Sequence, residues 1–437
     1  MCTKTPIDAM MRVLLVASAA LALREVSWPS LSFGRPQSPT QRCVECVNTG
    51  DIDGAFEWLE EARRSDDGAL RDAWGAVLGA LAEFRSPALL RCCETMFHDG
   101  LGYGDLDDSV RAKLEGLVPP AVADDGAGAA GPAAGSPKPP ELWVEAGGAV
   151  PSVDCRGGGA RAALDAARAA RRPVILRGVG ARWRAVGWDA QTIADAFPAA
   201  LVCRVARQSA VSFCRESHPA VARGEVTPPS RSVVLSGAAA ARRLRGERRP
   251  NLVYDDADEE HVYAQALAPP ALLADVDLGF LTFRGPAPPA RLWACRGGVF
   301  SPLHYDAQDS HLVQVVGEKR LLLWPPEAKA ALRPYGDNSP LARRFRVDVL
   351  AAGAEAAEAA LRRGEEEGLP RDGDAESPSG PSGDAAFDLV RGGALEATIG
   401  PGDALWFPSD WAHHTESRGD LSIALAIREV EGVVAGA

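Results

Sequence analysis

The sequence predicts an α+β protein: a small all-α N-terminal domain, then a larger domain built on a β-sandwich or barrel with flanking helices. Three observations predict it. Apolar residues recur at three- and four-residue spacing through residues 41–117, as on one face of a helix. The stretch 118–140 is rich in Pro, Gly and Ala and nearly devoid of large apolar side chains, which marks a linker. From Arg291 onward strand signals return about every 8–12 residues, the rhythm of an all-β unit and not of alternating βαβ.

In chain order, residues 1–38 form an N-terminal segment. Its apolar run Val13–Leu23 has the length of a signal-peptide core and is too short to span a bilayer. An Ala-rich amphipathic helix fits the same run. Residues 39–117 read as two helical hairpins about 35 residues apart, a spacing like that of short helical repeats. After the linker, a domain is expected over 141–437. It opens with a helix at Gly159–Arg171 and the strand RRPVILRGV, followed by a helix through Ile193–Phe197 and strands at Leu201–Val205 and Val262–Gln265. An acidic insertion at about 351–384 begins as a candidate helix and turns into a Gly-, Pro- and Ser-rich solvated stretch. Strands resume at LEATI, GDALWF and LSIALAI.

Bulk properties narrow the function. At 437 residues with 46% hydrophobic and 24% charged content, the chain has the composition of a soluble globular protein. A net charge of -12 argues against tracking a nucleic-acid backbone, and no transmembrane segment is expected. Nine cysteines, an odd number spread over a long chain, suit a reducing compartment, so a cytoplasmic or nuclear location is favoured over the targeting alternative. Cys43, Cys46, Cys92 and Cys93 read as buried structural thiols and not as a zinc site. The Gly157–Gly159 run has neither a dinucleotide-binding nor a P-loop spacing.

The stretch FSPLHYDAQDSHLVQVVGEKRLLLWPP (300–326) carries the chemistry. On an extended strand His304 and Asp306 point to one face, giving two thirds of a 2-His-1-carboxylate triad, the arrangement that holds non-heme Fe(II). Of the seven histidines, only the pair His413-His414 falls in another cluster of the same β region. Adjacent strand residues face opposite sides, so one of that pair faces the site. HLVQVV-Gly317-Glu318-KRLLLW reads as a tight hairpin that places Lys319 at the start of the returning strand. An inward lysine there needs an anionic partner.

These segments resemble the JmjC, cupin-like family of iron- and 2-oxoglutarate-dependent oxygenases over roughly 150–428. SPLHYDAQDSHLVQVVGEKRLLLWPP is similar to the family's first metal-binding strand, GDALWFPSDWAHHTES to its second, and RRPVILRGV to its opening strand. The resemblance implies a double-stranded β-helix (jelly-roll) fold with His304, Asp306 and His413 as iron ligands. It also implies Lys319 and Ser301 as contacts of the co-substrate 2-oxoglutarate, with O2 as oxidant. Ser310 stands where the family often has Asn beside the co-substrate. The family's Tyr-Leu-x-Gln strand matches this chain in either of two registers, which point Tyr263 to opposite faces. The implied activity is hydroxylation of a protein or peptide side chain with release of succinate and CO2. The alternatives are lysine demethylation by the same chemistry and a non-catalytic cupin-like binding protein.

Overall fold

A computed structural model describes Arg42 and residues 138–429, except 199–200, 216–217, 248, 255–256, 258, 282–289, 337–338 and 364–382. The expected N-terminal segment, the helical hairpins and most of the linker lie outside the described residues, as does the polar part of the insertion. The chain divides into two compact units, one of 1–118 with 217–226 and one of 119–216 with 227–437. The second unit carries every candidate site residue.

That unit is a 12-stranded mixed sheet with flanking helices, the α+β double-stranded β-helix expected. Its strands are β1 (Ala146–Ala149), β2 (Ser152–Asp154), β3 (Val174–Arg177), β4 (Leu201–Ala206), β5 (Arg231–Leu235), β6 (His261–Leu267), β7 (Arg291–Arg296), β8 (Phe300–His304), β9 (Ser310–Trp324), β10 (Ala394–Ile399), β11 (Ala404–Phe407) and β12 (Ala412–Arg428). The main path runs β2-β3-β11-β9-β12-β7-β6-β4-β5, with β10 on β9, β1 on β10 and β8 on β12.

Helix α1 (Ala160–Ala170) buries Ala160, Leu164 and Ala167, positions spaced to share one face. Helix α2 (Ala190–Ala196) begins at a capping box in which the Asp189 carboxylate accepts from the Thr192 N–H while the Asp189 N–H donates to the Thr192 hydroxyl. With α3 (Gly237–Leu244), these helices enclose a core containing Leu164, Ile193, Leu244, Val313 and Trp406. Helix α4 (Ala354–Arg363) forms the first part of the insertion, and α5 (Asp384–Gly392) follows its polar stretch. Leu361, Phe387 and Val390 pack with Trp324 in a separate core cluster.

The expected hairpin at Gly317-Glu318 is not formed. Residues 310–324 make one continuous strand that runs antiparallel to β12 through most of its length. Its first half pairs also with β11 and its second half with β10, so β9 passes from one part of the sheet to another. Gly317 serves a close approach at the bend. It has φ +69, and a Cβ there would stand 2.2 Å from the Leu421 carbonyl oxygen. The β9/β12 register is irregular at the same level, between Arg418 and Ile423.

Candidate active site

Strand pairing brings the two histidine motifs together. His413 and His304 are partners across the β12/β8 ladder, and Thr415 lies opposite Ser301. The imidazole centroids are 4.1 Å apart. His414 points to the other face, where it packs 5.3 Å from the Phe300 ring. Asp306 is not on the strand with His304. It lies just beyond the end of β8, in the connection to β9, where its backbone oxygen accepts from the Asp410 N–H.

Each histidine is oriented by a backbone carbonyl. His304 Nδ1 is 2.8 Å from the Pro302 oxygen and His413 Nδ1 is 2.9 Å from the Trp411 oxygen. Those bonds assign the protons to Nδ1 and leave a lone pair on each Nε2, the nitrogen that coordinates a metal. Neither Nε2 has a hydrogen-bond partner among the described residues. Burial pushes the pKa of both rings below the ordinary histidine value, so both are neutral donors near pH 7.

Asp306 is buried and doubly held. Arg428 Nη2 donates to Oδ1 at 2.8 Å, and Ser310 Oγ donates to Oδ2 at 3.1 Å. Burial works to raise its pKa, but Arg428 and then the two histidines outweigh this and hold the carboxyl below the usual range. A carboxylate has about four lone-pair positions, so two stay open for a cation. Among the described residues, no three or more His, Cys, Asp or Glu side chains are already gathered as a metal site. The three donors instead line one cleft, with the carboxylate turned toward Arg428 and Ser310.

Lys319 lines the same cleft and is 2% exposed. Its Nζ lies 2.8 Å from Ser417 Oγ and 3.4 Å from Tyr263 OH, with no carboxylate among its partners. Burial lowers its pKa. Trp293 stands edge-on to Tyr263 at 5.4 Å, and its buried indole N–H has no acceptor among the described residues. A buried ammonium with neutral neighbours and an orphaned indole donor form a cradle short of negative charge, which fits a carboxylate ligand. Ser301 also lines the cleft. The register of β6 settles the side to which Tyr263 points, since its hydroxyl reaches Lys319.

His311 lies at the base of β9, with Nε2 2.5 Å from Glu429, and Glu429 also meets Arg168 of α1. Trp324 and Trp406 are fully buried core residues and Trp411 is nearly so. Sequence reasoning missed Ser417, Trp293 and Arg428. The first had a signal: His413, Thr415 and Ser417 alternate on one face of β12. Arg428 had none, because the irregular register between Arg418 and Ala424 breaks the alternation that would link it to His413.

Asp403 fixes the β3 end of the domain. It accepts from the Gly178 N–H at 2.9 Å and from Arg177 Nη1 at 2.7 Å, joining the Gly402-Asp403 turn to the RRPVILRGV strand. No described helix is long and apolar enough to cross a membrane. A family model, the cupin-like domain, matches residues 160–427, more than half of the chain, and takes in His304, Asp306, Lys319 and His413, ending one residue before Arg428. With the paired histidine motifs on adjoining strands of a double-stranded β-helix, the chain belongs to the cupin-like domain family, of JmjC type.

Proposed function

We propose that this protein is an Fe(II)- and 2-oxoglutarate-dependent dioxygenase that hydroxylates a protein side chain. The observation that carries the reading is one cleft with complementary ends. At one end are two imidazoles with free Nε2 atoms beside a carboxylate; at the other is a buried lysine lacking an anion.

His304, Asp306 and His413 would hold the iron, with the open coordination positions that a facial triad leaves. Lys319, Ser301, Tyr263 and Trp293 would receive the distal carboxylate of 2-oxoglutarate. When bound, iron and co-substrate supply the oxidation, in which O2, 2-oxoglutarate and a substrate C–H become hydroxylated substrate, succinate and CO2. The chain's own contributions are orientation and charge. The Pro302 and Trp411 carbonyls fix the imidazole tautomers, Ser310 holds one oxygen of Asp306, and Phe407 packs against His413 with ring centroids 4.8 Å apart, limiting water on that side.

A second reading, a binding protein that uses the cleft without a metal, draws support from the Asp306–Arg428 pair. Succinate production separates the two. Purified protein with Fe(II), ascorbate and 2-oxoglutarate is expected to form succinate, and His413→Ala to form none. Absence of succinate from the wild type, with and without peptide substrates, would overturn the dioxygenase reading. Peptide mass then distinguishes hydroxylation, a gain of one oxygen, from demethylation, a loss of CH2.

A further inference from the structure

The geometry points to Arg428 as an internal counter-cation that competes with the metal for Asp306 and makes metal binding depend on the dicarboxylate. The inference rests on the dioxygenase reading of the cleft and adds to it a residue outside the triad.

Arg428 and Asp306 form a buried ion pair at 2.8 Å, with side chains 10% and 11% exposed. The guanidinium donates to Oδ1 and the Ser310 hydroxyl to Oδ2, so each oxygen that a metal would use already accepts a hydrogen bond. Arg428 is anchored by its strand. It is the last residue of β12, its Cα partner on β9 is Ser310, and the next residue, Glu429, is tied to His311 and Arg168. The two groups that hold Asp306 therefore stand opposite each other on neighbouring strands.

The charges of the cleft give this pair its consequence. Among the described residues that line it, Asp306 is the acidic one, set against Arg428 and Lys319. Arg428 cancels Asp306, and Lys319 leaves the cleft net positive. A divalent cation entering alone meets a neutralised carboxylate and the remaining positive charge of Lys319 in a poorly solvated space. A dicarboxylate anchored on Lys319 brings two negative charges and reverses that balance. Metal and dicarboxylate thus each raise the other's affinity by the same factor, as linkage requires.

The test is calorimetric titration of the full chain with Mn(II), with and without 2-oxoglutarate, for wild type, Arg428→Gln and Arg428→Lys. Wild type is expected to bind Mn(II) at least about tenfold more tightly when 2-oxoglutarate is present. Arg428→Gln is expected to bind Mn(II) alone at least about tenfold more tightly than wild type, with a smaller gain from 2-oxoglutarate. Arg428→Lys, which keeps the charge, should stay near wild type, and a purely structural role would not restore the coupling in this way. Weaker Mn(II) binding by Arg428→Gln than by Arg428→Lys would overturn the inference and make Arg428 a support for the ligand. If Arg428→Gln does not fold, equal Mn(II) affinity of the wild type with and without 2-oxoglutarate still overturns it. Saturating Mn(II) binding that is unchanged in His304→Ala would instead overturn the metal assignment itself.

Discussion

The two ends of the cleft treat charge in opposite ways. At the histidine end the buried anion, Asp306, has an internal cation in Arg428. At the lysine end the buried cation, Lys319, has two hydroxyl oxygens and the Tyr263 ring beside it and no carboxylate partner among the described residues. Leaving a buried ammonium without an anion costs stability, and a fold tolerates such a cost where a ligand offsets it. The contrast teaches which part of the site is finished without its ligands. The acidic end is satisfied by the chain itself, and the basic end has no anion among the described residues.

The largest expected effect breaks the histidine end outright. His304→Ala or His413→Ala removes a neutral donor whose Nδ1 is held by a carbonyl, and metal binding and succinate formation should both disappear while the far-UV circular dichroism is retained. Retention of stoichiometric Fe(II) binding in both variants would place the metal elsewhere.

Next comes the lysine end, where the comparison predicts opposite signs for binding and stability. Lys319→Met should lower 2-oxoglutarate affinity by about 2–5 kcal/mol, the cost of truncating one member of a buried charge pair. The same change should raise unliganded stability by about 1–4 kcal/mol in a denaturant melt, because an uncompensated buried charge is replaced by an apolar chain. A destabilised Lys319→Met would mean that the ammonium is satisfied in the unliganded fold.

A smaller effect is expected at Ser301, which lines the cleft opposite Thr415. Ser301→Ala should weaken 2-oxoglutarate about tenfold, the value of one hydrogen bond to a charged group, and leave Mn(II) binding alone unchanged. An effect on the metal in the absence of co-substrate would blur the division between the two ends.

The smallest expected effect is in the pH dependence of stability, and its signs differ at the two ends. Lys319 has a lowered pKa in the folded state, so the unfolded chain binds more protons between that value and the ordinary lysine range. Its penalty is complete at lower pH and is relieved as pH rises through that window. Asp306 has a lowered carboxyl pKa, so its contribution is present above the ordinary aspartate range and is lost as pH falls toward the folded-state value. Denaturant melts of Lys319→Met against wild type should converge as pH is raised, and melts of Asp306→Asn against wild type should converge as pH is lowered.

Much of this architecture was legible in the sequence, and the reasons differ by residue. The short buried strand Ala404–Phe407 and the strand at Val174–Arg177 announce themselves as apolar runs bounded by turn residues. His304 and the His413-His414 pair were visible because few histidines compete for such a position; strand alternation admits only one of the pair, and the family resemblance is what pointed to His413. The bend at Gly317 was misread because a glycine followed by a polar residue signals a hairpin as readily as a close strand crossing. Only the position of the Leu421 carbonyl distinguishes the two. Arg428 was invisible because its role depends on the register between β9 and β12, a long-range property with no local pattern.

The most direct test of the central claim is an anaerobic titration of the purified chain with Fe(II) and 2-oxoglutarate, followed by visible absorption. The account predicts a metal-to-ligand charge-transfer band that saturates at one iron per chain, requires both additions, and is lost in His304→Ala and in Lys319→Met at moderate co-substrate concentration. Absence of the band from folded wild-type protein at saturating Fe(II) and 2-oxoglutarate would contradict it.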